Sequence, residues 1–123
     1  MTALILAAYL TGVDKGLLTA ICKVESGLNP DVVQLYDGRT HSYGLCQVKL
    51  GTARQMKYET DGEGLLNPYQ NARVAAKYLK WQLKRYQGDT KKAVIAYNQG
   101  TYREGSNEQY YCKVRRELGK TCD

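Results

Sequence analysis

The 123-residue chain predicts a mainly α fold, one helical domain spanning 1–123 with a small irregular or β-hairpin region after its second helix. Three observations carry that expectation. Apolar residues recur at one-face helical spacing, at 17, 18, 21 and 24 and again at 72, 75, 76, 79 and 83. Start and stop residues bracket these runs, with Asp14, Asn67 and Asp89 ahead of them and Gly27, Gly88 and Gly100 behind. Clear strand pairs are missing: only residues 28–50 lack a helical period. Turn signals there at Asn29-Pro30 and Asp37-Gly38 limit the segment to a short hairpin at most.

Each element has its own justification. A first helix over 3–10 breaks at Thr11-Gly12, and a second covers 15–26. Asp14 is its N-cap, Val13 is placed to staple onto Leu18, Gly27 supplies the left-handed end, and Pro30 stops the helix resuming. Thr52 is expected to cap a third helix reaching about Tyr58, and 60–64 reads as an exposed loop. In the best-defined helix Asn67 is the cap, Pro68 takes the first turn and Gln70 stands in capping-box position. Its stripe of Ala72, Ala75, Ala76, Leu79, Leu83 and Tyr86 ends at Gly88; Trp81 lies off the stripe and either packs on another helix or is exposed. Asp89 caps the next helix, whose centre at 93–97 is apolar all round and therefore belongs in the core. Asn98 and Gly100 end it. Asn107 starts a last helix with Tyr110, Tyr111, Val114 and Leu118 on one face, stopped by Gly119. No repeat, low-complexity stretch or linker interrupts the chain.

Composition narrows the function classes. A formal charge of +6 suits an anionic partner such as nucleic acid, a membrane surface or a cell-wall polymer. No basic run with interleaved aromatics resembles a nucleic-acid motif, so nucleic acid is not the expected partner. Eleven tyrosines without a single Phe suit stacking against sugars, though tyrosine also serves as core with a wet edge. The longest apolar run, 3–10, is far short of the ~20 residues of a membrane span. It lacks the basic leader and cleavage site of a signal peptide, so export by another route, or removal of a leader, is expected. Cys22, Cys46, Cys112 and Cys122 form no CxxC, and His41 is the only histidine, so neither a metal nor any other cofactor is expected. If disulfides form, Cys112–Cys122 is the local closure and Cys22–Cys46 the remainder.

Within this frame Glu25-Ser26 stands out. Counted from Leu18 and Ile21, Glu25 falls on or beside the buried face at the C-terminal end of its helix. The helix dipole favours cations there, so burial and dipole together predict a raised pKa, as a general acid needs. Taken alone, the segment favours the plainer alternative, a helix-ending glutamate that points to water.

Four segments in order change that balance: Glu25-Ser26; Ser42-Tyr43-Gly44-Leu45-Cys46-Gln47-Val48; Asn67-Pro68-Tyr69-Gln70-Asn71 with Tyr78-Leu79; and Ala96-Tyr97-Asn98-Gln99-Gly100. From about Val13 to Val114 the chain resembles the soluble lytic transglycosylase catalytic domain, a peptidoglycan-cleaving relative of goose-type lysozyme. The family pattern is Glu-Ser, Gly-Leu-Met-Gln, Asn or Asp-Pro with a later Tyr-Leu, then Ala-Tyr-Asn-x-Gly. Each motif is weak alone; the ordered set is specific. Two departures touch substrate fit. Cys46 replaces the usual Met in a position that packs beside the substrate, and Ser106-Asn107 replaces a Glu-Thr pair ahead of the site tyrosine, which Tyr110 matches.

The resemblance implies a lysozyme-like fold and a catalytic Glu25 that protonates the bond between N-acetylmuramic acid and N-acetylglucosamine. Glu25 then takes the proton of the muramic C6 hydroxyl as that oxygen attacks C1, leaving a 1,6-anhydromuramic end. Tyr97 is expected to reach the Glu25 carboxyl while also being a core tyrosine. Ser26, Ser42, Gly44, Leu45, Cys46, Gln47, Asn98 and Tyr110 are expected to bind substrate; Ser26 could equally satisfy a helix-end backbone group. Asn71 and Tyr78 are assigned to the scaffold. The implied protein is a monomer acting on peptidoglycan strands at the cell wall or periplasm, phage-released, virion-associated or freed of its leader. Two rivals remain open: a hydrolytic muramidase of the same fold, and a non-catalytic wall-binding or assembly module.

Overall fold

Alanines set how the first helix meets the longest one. In a computed structural model describing residues 2–36 and 40–122, α1 (Thr2–Thr11) buries Ala3, Leu4, Ala7 and Ala8, and it packs chiefly on α4 (Pro68–Arg85). α4 buries Ala72, Ala75 and Ala76, and such small side chains let helix backbones approach closely. α4 is the hub: it also contacts α2 (Lys15–Ser26), α3 (Leu50–Gln55) and α5 (Thr90–Gln99). α6 (Glu108–Glu117) closes the other side, against α2 and α5, with a Lys23–Glu117 ion pair at 3.0 Å on the outer edge. Residues 93–97 of α5 are all buried, as a helix apolar on every side requires. Leu18, Ile21, Leu79 and Ile95 are wholly inaccessible, each side chain worth roughly 1.5–3 kcal/mol by burial.

The fold is mainly α, lysozyme-like, with one small antiparallel hairpin. Strand β1 (Val33–Tyr36) pairs with β2 (Thr40–Tyr43) in the register Val33–Tyr43 to Tyr36–Thr40. The expected Asp37-Gly38 turn lies outside the described residues. Local signals around α2 work as the sequence suggests: the Asp14 carboxylate accepts from the Leu17 N–H at 2.8 Å, and Gly27 takes φ 68° with its N–H on the Lys23 carbonyl.

Several local expectations are corrected. α3 begins at Leu50 with Lys49 as its flanking residue, so Thr52 lies inside the helix and does not cap it. Gln70 makes no capping box: its Nε2 donates to Thr60 Oγ1 and to the Gly64 carbonyl, pinning the preceding loop instead. That loop is less exposed than expected, since Gly62 sits against the Tyr43 ring and residues 64–66 coil into a single 3-10 turn. Trp81 is exposed, one of its two expected placements, and stacks on Tyr78 of its own helix, ring centroids 6.1 Å apart. Asn107 precedes α6 in a left-handed conformation, φ 59°, and its side chain caps nothing, being used elsewhere. Cys22–Cys46 and Cys112–Cys122 are both disulfides.

Candidate active site

The site is assembled from one helix end and one loop. Glu25 lies in the last turn of α2, partly buried, where the packing of Leu18 and Ile21 directs it toward α5 and α6 rather than to open water. The Tyr110 hydroxyl of α6 donates to its Oε2 at 2.8 Å, and Asn98 Nδ2 at the end of α5 donates to the same oxygen at 3.2 Å. Asn98 is itself oriented, its Oδ1 accepting from Asn107 Nδ2 at 3.0 Å. Burial raises the Glu25 pKa above the ordinary glutamate range; the Tyr110 and Asn98 hydrogen bonds and the charge of Lys49 pull it down, and burial wins. The raised pKa expected from the helix end is therefore present, with desolvation as its main cause.

Opposite the helix end stands the loop after β2, held from three elements at one residue. The Cys46 N–H donates to Asn71 Oδ1 of α4 at 2.8 Å, its carbonyl accepts from the Tyr97 hydroxyl of α5 at 3.0 Å, and its sulfur is bonded to Cys22 of α2. Asn71 Nδ2 adds bonds to the Tyr43 and Leu65 carbonyls. Gly44, at φ 75°, has no room for a side chain: a Cβ there would lie 2.6 Å from the Leu65 carbonyl and 2.8 Å from Asn71 Nδ2. The loop so held presents Gln47, itself left-handed at φ 53°. Its Nε2 donates to the Val32 and Gly44 carbonyls, which fixes the amide's orientation; Oε1 is buried with no partner among the described residues. Strained backbone and an unpaired buried acceptor cluster at functional positions.

Between loop and helices opens a cavity of about 300 Å³. Of the expected site residues, Glu25, Ser42, Gln47, Tyr97 and Asn98 line it. Ser26, Gly44, Leu45, Cys46 and Tyr110 do not, each for a physical reason. The Ser26 hydroxyl is spent on the Leu45 carbonyl of the loop at 2.5 Å and on the Cys22 carbonyl of its own helix at 3.3 Å, the latter being the helix-end alternative. Leu45 and Cys46 are wholly buried, so Cys46 is a cross-link to α2 and not a side chain beside the substrate. The close approach that needs Gly44 is to Leu65 and Asn71. Tyr110 turns its hydroxyl to Glu25, the contact expected of Tyr97. Tyr97 lines the cavity but gives its hydroxyl to the Cys46 carbonyl, a bare loop acceptor beside its buried ring. Both hydroxyls stay protonated, their pKa values driven well up by burial and then by the Glu25 charge.

The sequence reading missed several residues. Lys49 and Thr52 enter the lining because the loop runs straight into α3, and no local pattern marks them. Tyr78, assigned to the scaffold, also lines the cavity, its ring tilted against Tyr97 at 5.4 Å. The Ser106-Asn107 pair proves to be part of the frame: Ser106 Oγ accepts from Gln99 Nε2 at 2.7 Å, and Asn107 orients Asn98. Among the described residues no group of three or more His, Cys, Asp or Glu is placed to hold a metal ion. The family model of the transglycosylase SLT domain matches residues 3–117, taking in α1 as well as the four motifs.

Proposed function

Because the chain belongs to the transglycosylase SLT family of lytic transglycosylases acting on peptidoglycan, we propose that Glu25 alone serves as its acid and then its base. In the first step the Glu25 proton passes to the glycosidic oxygen between muramic acid and glucosamine, and the C1–O bond breaks. In the second, the Glu25 carboxylate takes the proton of the muramic C6 hydroxyl while that oxygen bonds to C1. The product is a 1,6-anhydromuramic end, no water is consumed, and Glu25 finishes protonated.

One observation carries this reading: Glu25 is the single carboxylate among the described lining residues, and its burial favours the protonated form that must donate. Glycosidases of the ordinary kind place two carboxyl groups across the bond, about 5–9.5 Å apart. Tyr110 and Asn98 support the scheme by holding one Glu25 oxygen, which leaves the other to face the bond. Gln47 and Ser42 bring polar side chains to the cavity that Glu25 lines, suited to the N-acetyl and hydroxyl groups of the sugars. Tyr97 acts as a positioning residue through the loop it holds. The enzyme works on glycan strands at the wall or periplasm, as a monomer.

The test is the mass of the product. Purified peptidoglycan digested by the protein should yield muropeptides ending in anhydromuramic acid. Reducing ends one water heavier would establish the hydrolytic muramidase instead. Wall binding without any release would establish the non-catalytic module. Glu25→Gln should stop release by more than about a hundredfold while the folded protein still binds the wall.

A further inference from the structure

Helix α1 breaks the rule that the centre of α5 obeys. Both are apolar all round, yet residues 93–97 of α5 are all buried, whereas α1 buries one face only. Its outer face leaves Ile5, Leu6, Tyr9 and Leu10 exposed, Tyr9 by 83%, at the i, i+1, i+4, i+5 spacing of a continuous stripe. Single exposed apolar residues are ordinary, but a contiguous set of this kind marks a contact surface.

The charge beside this face indicates what it meets. α4, on which α1 packs, carries five basic residues and no acidic one. Lys77, Lys80 and Lys84 recur at helical spacing on its exposed side. Lys80 and Lys84 line one open pocket with Thr11 and Gly12 at the end of α1, so the apolar and basic stripes adjoin. Neither lysine forms an ion pair among the described residues.

We propose that the outer face of α1 and the lysine stripe of α4 form a docking face for an anionic lipid bilayer. The α1 side chains enter the headgroup boundary, and the lysine ammonium groups meet lipid phosphates. An apolar stripe flanked by lysine is the composition of helices that lie in that interface. A second copy of the chain fits less well, because two such faces would set lysine against lysine. An acidic protein fits less well too, since protein interfaces favour Arg and are depleted in Lys. The docking face also lies away from the cleft. Ala75 and Tyr78 of α4, which line the cavity with Glu25, stand roughly 100° or more round the helix from the three lysines. A protein resting on lipid by α1 therefore keeps its cleft off the bilayer.

Vesicle flotation tests the proposal. The protein should float with vesicles of equal parts phosphatidylglycerol and phosphatidylcholine but not with phosphatidylcholine alone, and raised salt should release it. Lys80→Gln with Lys84→Gln should weaken binding by about tenfold, and Ile5→Ser with Tyr9→Ser by about tenfold or more. Both double variants should release fragments from purified peptidoglycan as the parent does, because none of the four residues lines the cavity. Should the α1 variant fail to fold, the lysine variant and the salt series decide. Equal flotation with neutral and anionic vesicles, flotation with neither, or unchanged binding by the lysine variant overturns the proposal. Without vesicle binding, a dimer split by the α1 substitutions would make a second copy the occupant, and retention on polyglutamate would make it an acidic protein. Vesicle binding by a protein that released nothing from the wall would still support the docking face, which stands apart from how Glu25 acts.

Discussion

At the residue scale the chemistry turns on what raises the proton affinity of Glu25. Burial and hydrogen bonding oppose each other at this carboxyl, and burial prevails. Removing the Tyr110 hydroxyl removes a donor that stabilises the charged form, so Tyr110→Phe should raise the Glu25 pKa further. The acid form then persists to higher pH. The descending basic limb of kcat/KM for peptidoglycan release should therefore move upward, with kcat itself falling about tenfold or more as the carboxyl loses its anchor. A limb that stays put or moves down would break the link between Tyr110 and Glu25. Glu25 also shapes stability. Its folded pKa lies above the unfolded value, so the folded state binds the proton more tightly, and stability declines as pH rises from the ordinary glutamate range through the raised value. Glu25→Gln carries no such charge. Its melting temperature should exceed that of the parent at neutral pH, and the gap should close below about pH 4, where both states of the parent are protonated.

At the element scale the loop after β2 owes its shape to contacts with helices distant in sequence. Asn71 accepts from the Cys46 N–H and donates to two carbonyls from inside α4, so it is the bracket between scaffold and site. Asn71→Ala leaves these buried groups unpaired and should cost about 3 kcal/mol, measured by urea unfolding, with activity lost more steeply than stability. Gly44→Ala should act at the same place by a different route. Its Cβ would press on the Leu65 carbonyl and the Asn71 amide in a left-handed backbone, a penalty of about 2 kcal/mol or more. The hairpin and most helix ends were legible because caps and breakers act within a few residues. Gln70 and Asn107 were misread for the opposite reason: each stands where a cap belongs, yet its amide finds better partners across a loop.

For the whole molecule, the two disulfides do unequal work. Cys22–Cys46 joins the helix that carries Glu25 to the loop that carries Gln47, and both sulfurs are buried in the core. Cys112–Cys122 closes a short span at the end of the chain, partly exposed. Opening the first by Cys22→Ser with Cys46→Ser should cost about 3 kcal/mol and reduce wall release beyond what the lost stability explains, because the loop loses one of its three ties. Opening the second should lower the melting temperature with little effect on the residual rate at low temperature. Comparable losses of activity from both pairs would mean that the inner bridge is not specific to the site.

The sequence by itself determined the helical class, the caps of α2, α4 and α5, the buried nature of residues 93–97, and Glu25 as the carboxyl at a helix end. Those features depend on side-chain periodicity and on backbone preferences over one or two turns. Only the tertiary structure decided that Tyr110, not Tyr97, holds Glu25, that Cys46 is a cross-link, and that Lys49 and Tyr78 line the cavity. These outcomes depend on which hydroxyl, amide or charge lies nearest when six helices are packed together. A buried polar group takes the partner that geometry offers, and that choice is written between elements rather than along any one of them.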